Sequence, residues 1–449
     1  MDIRNSAEWH RYLEQNENSR KHAEKVGKIV PSGSSRSLLR HPPFPFFVEQ
    51  ASGISSTDLD GNERLDFHNN YTTLIHGHGH PEILAAVEEQ LPKGTSYSAP
   101  VVQESRLVEI LTDRIGSVDQ VVFNNSGSES VMVALRIARA VTGRQLIGKF
   151  EGGYHGSSDF VMVGGHDIPA LDDPVKVSTP KPDLAGLPDA ATSQIILMKY
   201  NDSAAVREAV DRYGDEMAAI IVEPIMFAGG VVPAEPEFLE TLREETERKG
   251  IVLICDEVVT LRQAVGGAQG YYGLEPDLTT MAKTIGGGFP IGAVGGKHEF
   301  MKCLNDPEEG GTVANLGTFS ANPISVTAGA VAMELLDEAA IAHINYLGEK
   351  ARDGLRSVIA THDAVAQVSG AGSLFQVHWT EHPISDARAS MSGNPDLVLL
   401  SFIGMCNRGV QLSMRGNAAL STPMTESTID TMLNAFEETV LSMKSEGYC

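Results

Sequence analysis

The stretch that most constrains this chain is Ile251–Gly296, IVLICDEVVTLRQAVGGAQGYYGLEPDLTTMAKTIGGGFPIGAVGG. It opens on Ile251-Val252-Leu253-Ile254-Cys255, an apolar β-branched run that reads as a strand buried on both faces, as in a parallel sheet. That run ends in two acids, Asp256 and Glu257. In an open α/β sheet, ligands sit beyond the carboxyl ends of the strands, so Asp256 stands where chemistry is done. A carboxylate on so apolar a strand costs several kcal/mol to desolvate unless something cationic meets it. Met281-Ala282-Lys283 and the turn Gly286-Gly287-Gly288 follow, giving a lysine with room for its amine to reach a bound molecule.

Lysine plus aspartate suits pyridoxal phosphate, which takes a Schiff-base Lys and an Asp that keeps its ring nitrogen protonated. Each residue alone also fits a plainer role, a structural acid at a strand end and a solvated surface lysine. The wider pattern, D-E-V-V-T followed by K-x-x-G-G-G-x-P-x-G-A-x-G-G, resembles the lysine region of the class III pyridoxal phosphate aminotransferases. That resemblance implies fold type I: a large, mainly parallel α/β/α domain, and a smaller α+β domain built from the N- and C-terminal segments.

The bulk sequence sets further bounds. Its 449 residues allow two domains. The expected division is an N-terminal segment at 1–70, a cofactor-binding domain at 71–329 and a C-terminal α+β domain at 330–449. A formal net charge of −24 argues against nucleic acid or an anionic membrane as partner. Cys255, Cys303, Cys406 and Cys449 are scattered with no C-x-x-C, which indicates neither a zinc site nor a disulfide framework. The N-terminus is polar, unlike a signal peptide, and no apolar run is long enough to span a membrane. The expectation is a cytoplasmic enzyme.

Along the chain, residues 1–28 read as helix, and Phe47 to Asp66 as a small meander turning at Asp60-Gly61-Asn62. His76-Gly77-His78-Gly79-His80 tempts a metal reading, but Gly and Pro81 spoil the alternation, and a turn before the helix Pro81–Leu91 is expected, with no metal. Strand Val121-Val122-Phe123 enters Asn124-Asn125-Ser126-Gly127-Ser128-Glu129 and then a helix. The free N–H groups of a helix start, with hydroxyls at Ser126 and Ser128, suit a phosphate, and Ser N-capping is the structural alternative. The resemblance favours the phosphate cup. It likewise makes Tyr154, in Tyr154-His155-Gly156, a ring to stack on the pyridine, and counts His155, Glu223 (before Pro224) and Val258 among the cofactor contacts. Residues 162–192 read as a long mobile loop near the site mouth. Ala218–Val222 is a buried strand and Pro236–Lys249 an amphipathic helix. Met226-Phe227-Ala228 offers no amide side chain to the cofactor's ring hydroxyl. Thr318, in Leu316-Gly317-Thr318, either caps a helix over 324–339 or, as the resemblance implies, reaches the phosphate in a partner subunit, making a homodimer with shared active sites.

Two arginines bear on the substrate, because a guanidinium fork both binds and orients a carboxylate. Arg36, in S-R-S-L-L-R-H-P-P-F-P, and Arg415, in M-R-G-N-A-A-L-S-T-P-M-T, match the β-amino acid (β-phenylalanine-type) transaminases more closely than the related glutamate-1-semialdehyde aminomutases. In those transaminases one Arg takes the β-amino acid's carboxylate and the other that of the keto acid. Tyr71 and Leu38 are candidate pocket walls, and Arg262 is a third candidate for a carboxylate or for structure. The expectation is transfer of an amino group from a β-amino acid to 2-oxoglutarate or pyruvate, with an aminomutase or a racemase of the same fold as alternative.

Overall fold

The structure, a computed structural model, describes residues 2–165, 168–180, 182, 184–305 and 307–449. The chain forms two compact units. One comprises residues 1–80, 344–383 and 393–449, and the other 81–343 and 384–392. These breaks differ from the expected 70/71 and 329/330: the second falls inside the helix Glu338–Thr361, and 384–392 returns to the larger unit.

An eight-stranded sheet runs through the larger unit. In chain order its strands are β1 (Gln120–Asn124), β2 (Leu146–Phe150), β3 (Val177–Ser178), β4 (Ile195–Met198), β5 (Met217–Val222), β6 (Val252–Asp256), β7 (Leu278–Ala282) and β8 (Gly292–Gly296). They lie in the order β1-β8-β7-β6-β5-β2-β4-β3. Pairs β7–β6, β6–β5, β5–β2 and β2–β4 are parallel, while β8 is antiparallel to both neighbours and β3 to β4. Every residue of β5, β6 and β7 is buried, which is why β5 and β6 up to Asp256 read as unbroken apolar runs. Asp256 is the last residue of β6, and Lys283 follows the last residue of β7 beside it.

Helices start and stop where the sequence places their signals. Ser126 Oγ caps the helix Gly127–Thr142, which Gly143 ends at φ 70°. Pro236 opens the helix to Lys249, and Gly250 closes it at φ 60°. The helix expected over 324–339 spans Pro323–Leu335 and breaks, because Arg114 Nη1 and Nη2 bind the carbonyls of Met333 and Leu336 at 2.6 Å each. Asp337 then caps the next helix through the Ala340 amide at 2.8 Å.

The stretch 162–192 is more structured than expected, although 166, 167, 181 and 183 lie outside the described residues. Buried Lys149 Nζ donates to the carbonyls of Gly153, Val161 and Val163 at 2.9, 2.9 and 2.6 Å. Buried Arg388 pairs with Glu151 and binds the carbonyls of Asp173 and Val175. Strand β3 and a helix at Asp189–Thr192 complete it.

In the smaller unit, three strands over 48–66 form an antiparallel meander whose last strand pairs with Val410–Gln411, and a separate three-stranded sheet joins 367–371, 374–378 and 417–419. The N-terminal helix, expected over 1–28 (Met1 lies outside the described residues), breaks at Asn16 into Ala7–Gln15 and Glu17–Val26. Asn16 turns its amide back to the Tyr12 carbonyl and accepts from Arg64. The segment Ala7–Gln15 packs on Pro395–Asn407. Among the described residues no helix is long and apolar enough to cross a membrane.

Gly329 in the helix Pro323–Leu335 marks a close approach. A Cβ there would meet the Ile285 carbonyl, in the turn that carries Lys283, well inside van der Waals contact. Helix propensity alone favours Gly329→Ala by about 1 kcal/mol. The packing predicts the reverse, a loss of about 1–3 kcal/mol in chemical denaturation; a stabilised variant would contradict it.

Candidate active site

The carboxyl ends of β1, β2, β5, β6 and β7 deliver five turns to one end of the sheet. Asp256 is buried, and its Oδ2 lies 2.7 Å from His155 Nδ1 while its Oδ1 accepts from the Val258 amide at 3.1 Å. Burial lowers the His155 pKa, against the pull of Asp256, so a neutral imidazole donates from Nδ1. Glu223, after β5, accepts from the Tyr154 and Phe227 amides at 3.0 and 3.2 Å. Burial and the Asp256 charge raise its pKa from 4.5 to about 8, Lys283 pulling the other way. Beside the Asp256 carboxylate, Glu223 therefore holds its proton at neutral pH. Lys283 stands at φ 52°, a left-handed conformation unusual outside glycine, and its Nζ lies 5.9 Å from the centroid of the Phe227 ring.

Glycines bring the motifs together. A Cβ on Gly127 would press on Val258 at 3.1 Å and Ala282 at 3.4 Å. One on Gly156 would lie 2.5 Å from Ser128 Oγ, and one on Gly292 would enter the Ser126 carbonyl. Thus the helix start, the Asp256 turn, the Tyr154-His155-Gly156 turn and the strand before Lys283 interlock.

At the helix start, Ser126 Oγ accepts from the Glu129 amide at 3.3 Å, and Glu129 reaches back to the Asn125 amide at 2.6 Å. This is the capping alternative realised, and it leaves the Gly127–Ser128 end of the helix as the phosphate-binding candidate. Ser128 Oγ accepts from the Ser157 amide at 3.1 Å. Tyr154 is 52% exposed, whereas His155 is buried. Thr318 is exposed and does not cap: Asn322 accepts from the Ser325 amide at 2.9 Å and starts the helix.

In the smaller unit, Arg36 Nη1 donates to Asn70 Oδ1 at 2.6 Å and lies 5.3 Å from the Tyr71 ring centroid, while Tyr71 donates to the Leu38 carbonyl at 3.0 Å. Three of the four substrate candidates thus form one cluster, and Asn70 joins them unannounced. Arg415 sits in a tight turn, its amide on Ser413 Oγ at 3.2 Å and its carbonyl accepting from Gln376 at 3.1 Å. Arg262 is fully buried, and burial pushes it down to about 9, which makes it unfit to greet a substrate. His76 meets Thr422 and His78 meets Asp66, at 3.0 and 2.9 Å.

The sequence model of the class-III aminotransferases matches residues 38–421. This chain is a class-III aminotransferase. It is 36% identical over 424 residues to a glutamate-1-semialdehyde 2,1-aminomutase of Methanothermobacter thermautotrophicus, covering 94% of this chain and 98% of that one. Among solved structures, an ω-transaminase from Sphaerobacter thermophilus superposes with TM-score 0.90 at 36% identity, covering 99% and 100% of the two chains. A β-phenylalanine aminotransferase from Variovorax paradoxus gives 0.89 at 31%, covering 98% and 97%. The fold is the fold type I of pyridoxal phosphate enzymes.

The residues present fit pyridoxal phosphate, the cofactor of this family. Asp256 would meet the ring nitrogen, Lys283 would offer an amine to the aldehyde, the start of helix Gly127–Thr142 would offer donors to the phosphate, and Tyr154 would offer its ring.

The raised Glu223 pKa has a pH signature. A carboxyl whose folded pKa is raised contributes stability that is complete below its unfolded value and lost as pH rises through about 8. Cofactor-stripped wild type should therefore lose stability relative to Glu223→Gln between about pH 5 and about pH 9, on the order of a few kcal/mol. Parallel curves would show that Glu223 is already ionised.

Proposed function

We infer that this enzyme shifts an amino group on a small amino acid whose carboxylate is held by arginine. The observation that carries the reading is the Lys283–Asp256 pair set by adjacent strand ends. Bound pyridoxal phosphate would supply an electron sink for the electron pair left when the carbon that bears nitrogen loses its proton. Asp256 would accept a hydrogen bond from the protonated ring nitrogen, and His155 Nδ1–H holds that carboxylate in place. Lys283 Nζ would act as general base and acid, taking the proton from the carbon that bears nitrogen and giving it back at the carbon that receives it. Gly127 and Ser128 with the helix start bind phosphate, and Tyr154 covers the ring.

Two substrates fit this machinery. The relative from Methanothermobacter is named an aminomutase, and at 36% identity over nearly the whole chain its name favours an intramolecular shift on glutamate 1-semialdehyde. A β-amino acid donor with 2-oxoglutarate or pyruvate as acceptor rests on Arg36 and Arg415 in their motifs and on the likeness to the β-phenylalanine aminotransferase. Of the two, the comparisons support the aminomutase reading better and the arginine motifs the β-amino acid reading. Racemase chemistry has no such support. Assembly as a homodimer, with Thr318 given to the neighbour's phosphate, is supported by the exposure of Leu316 (86%) and Phe319 (60%) beside it.

One assay separates the readings. Purified holoenzyme is given racemic 3-amino-3-phenylpropanoate with and without 2-oxoglutarate, and glutamate 1-semialdehyde with no acceptor. Glutamate formed only with both 3-amino-3-phenylpropanoate and 2-oxoglutarate is the result expected for a β-amino acid transaminase. 5-Aminolevulinate from the semialdehyde alone is the result expected for the aminomutase and removes the β-amino acid reading. Silence in every arm, alongside turnover of a simple amine, would overturn both.

A further inference from the structure

The residues assigned above leave one costly piece of backbone in the smaller unit without a purpose. Asn69, Asn70, Tyr71 and Thr72 are all left-handed, with φ of 49°, 49°, 55° and 72°. L-residues visit this region singly, Asn most readily, and a run of four persists only where its surroundings over-determine it. Here they do. Asp66 Oδ1 accepts from the amides of His68 and Asn69 at 2.9 and 2.8 Å. Asn69 Nδ2 donates to the Ala419 carbonyl at 2.6 Å, and the Asn69 carbonyl accepts from the Leu74 amide at 3.1 Å.

What the turn delivers is the Asn70 amide, whose oxygen takes Arg36 Nη1 at 2.6 Å, and the Tyr71 ring, over which the guanidinium lies. The Tyr71 hydroxyl ties the same segment back to the Leu38 carbonyl at 3.0 Å. Arg36 is exposed, and among the described residues no carboxylate lies within ion-pair distance of it, in a chain with 59 acids against 35 bases. A neutral amide oxygen orients a guanidinium and leaves its charge whole, whereas a carboxylate in the same place would orient it and cancel the charge. The remaining N–H groups of the fork stay available for a planar, two-point partner.

We propose that Asn70, carried on the left-handed turn Asn69–Thr72, is a positioning residue that fixes the Arg36 guanidinium with its charge intact for the substrate carboxylate, and so selects amino acids over plain amines. This rests on the reading of Arg36 as a carboxylate holder. It accounts for the strain: a right-handed turn would send the amide of residue 70 elsewhere.

The test uses holoenzyme variants Asn70→Gly, Asn70→Asp and Arg36→Ala. KM and kcat are measured with whichever amino acid the preceding assay shows to be turned over, and with the same amine lacking its carboxylate (1-phenylethylamine for 3-amino-3-phenylpropanoate). Glycine accepts the left-handed φ and removes only the amide, so Asn70→Gly should raise KM for the amino acid about ten-fold, the size of a lost hydrogen bond to a charged group. Its kcat should change much less, and KM for the plain amine not at all. Asn70→Asp, which keeps an acceptor but neutralises Arg36, should raise KM for the amino acid at least as far. An equal loss on both substrates, or an unchanged KM in Asn70→Gly while Arg36→Ala raises it, overturns the positioning role. If Arg36→Ala itself leaves KM for the amino acid unchanged, the carboxylate reading of Arg36 falls and this proposal falls with it.

Discussion

The site depends on one carboxylate held by donors where water scarcely reaches. Asp256 ends a strand buried along its whole length, and an isolated charge there would protonate instead. Two donors hold it, the imidazole of His155 and the amide of Val258. The neighbouring Glu223 makes the same choice in reverse: with burial and the Asp256 charge against it, it keeps its proton. Lys149, buried beneath, spends its ammonium on three carbonyls of the segment that carries Tyr154 and His155. The arrangement places the Asp256 carboxylate at the strand end next to the one that carries Lys283, with a protonated Glu223 beside it.

Close backbone approach does the rest. Gly127, Gly156 and Gly292 each sit where a side chain would collide with a neighbouring motif, so residues far apart in the chain are locked together by the absence of a Cβ. Lys283 leaves its strand in a left-handed conformation, and Gly329 lets a helix lie against the turn that follows. Local strain at a functional lysine and close-packed glycine behind it are two aspects of one design, in which rigid strand ends fix groups that must act together.

Much of this was legible in the sequence because burial writes itself plainly there. The apolar runs at Ala218–Val222 and Ile251–Cys255, the acid ending the second, and the lysine before a glycine turn all follow from the cost of burying charge and the geometry of parallel sheets. Pro236 and Gly250 bound their helix exactly as their φ preferences dictate. Other features were hidden because their cause lies far along the chain. The break at Leu336 is made by Arg114, and the ordering of 162–192 by Lys149 and Arg388, polar residues that read locally as surface. The left-handed turn at Asn69–Thr72 was invisible too: Asn-Asn-Tyr-Thr spells an ordinary turn, and contacts beyond it, with Asp66 and the Ala419 carbonyl among them, fix its hand. The domain boundaries moved because contacts, not composition, decide where a long helix changes allegiance.

The central claim is that Lys283 Nζ is the atom to which the cofactor is joined. Reduction of the holoenzyme with borohydride, followed by digestion and mass mapping, reads that bond directly. The account predicts one pyridoxyl label, on the peptide containing Lys283, with its yield stoichiometric with bound cofactor. A label on any other lysine, or retention of cofactor without any label, would contradict it.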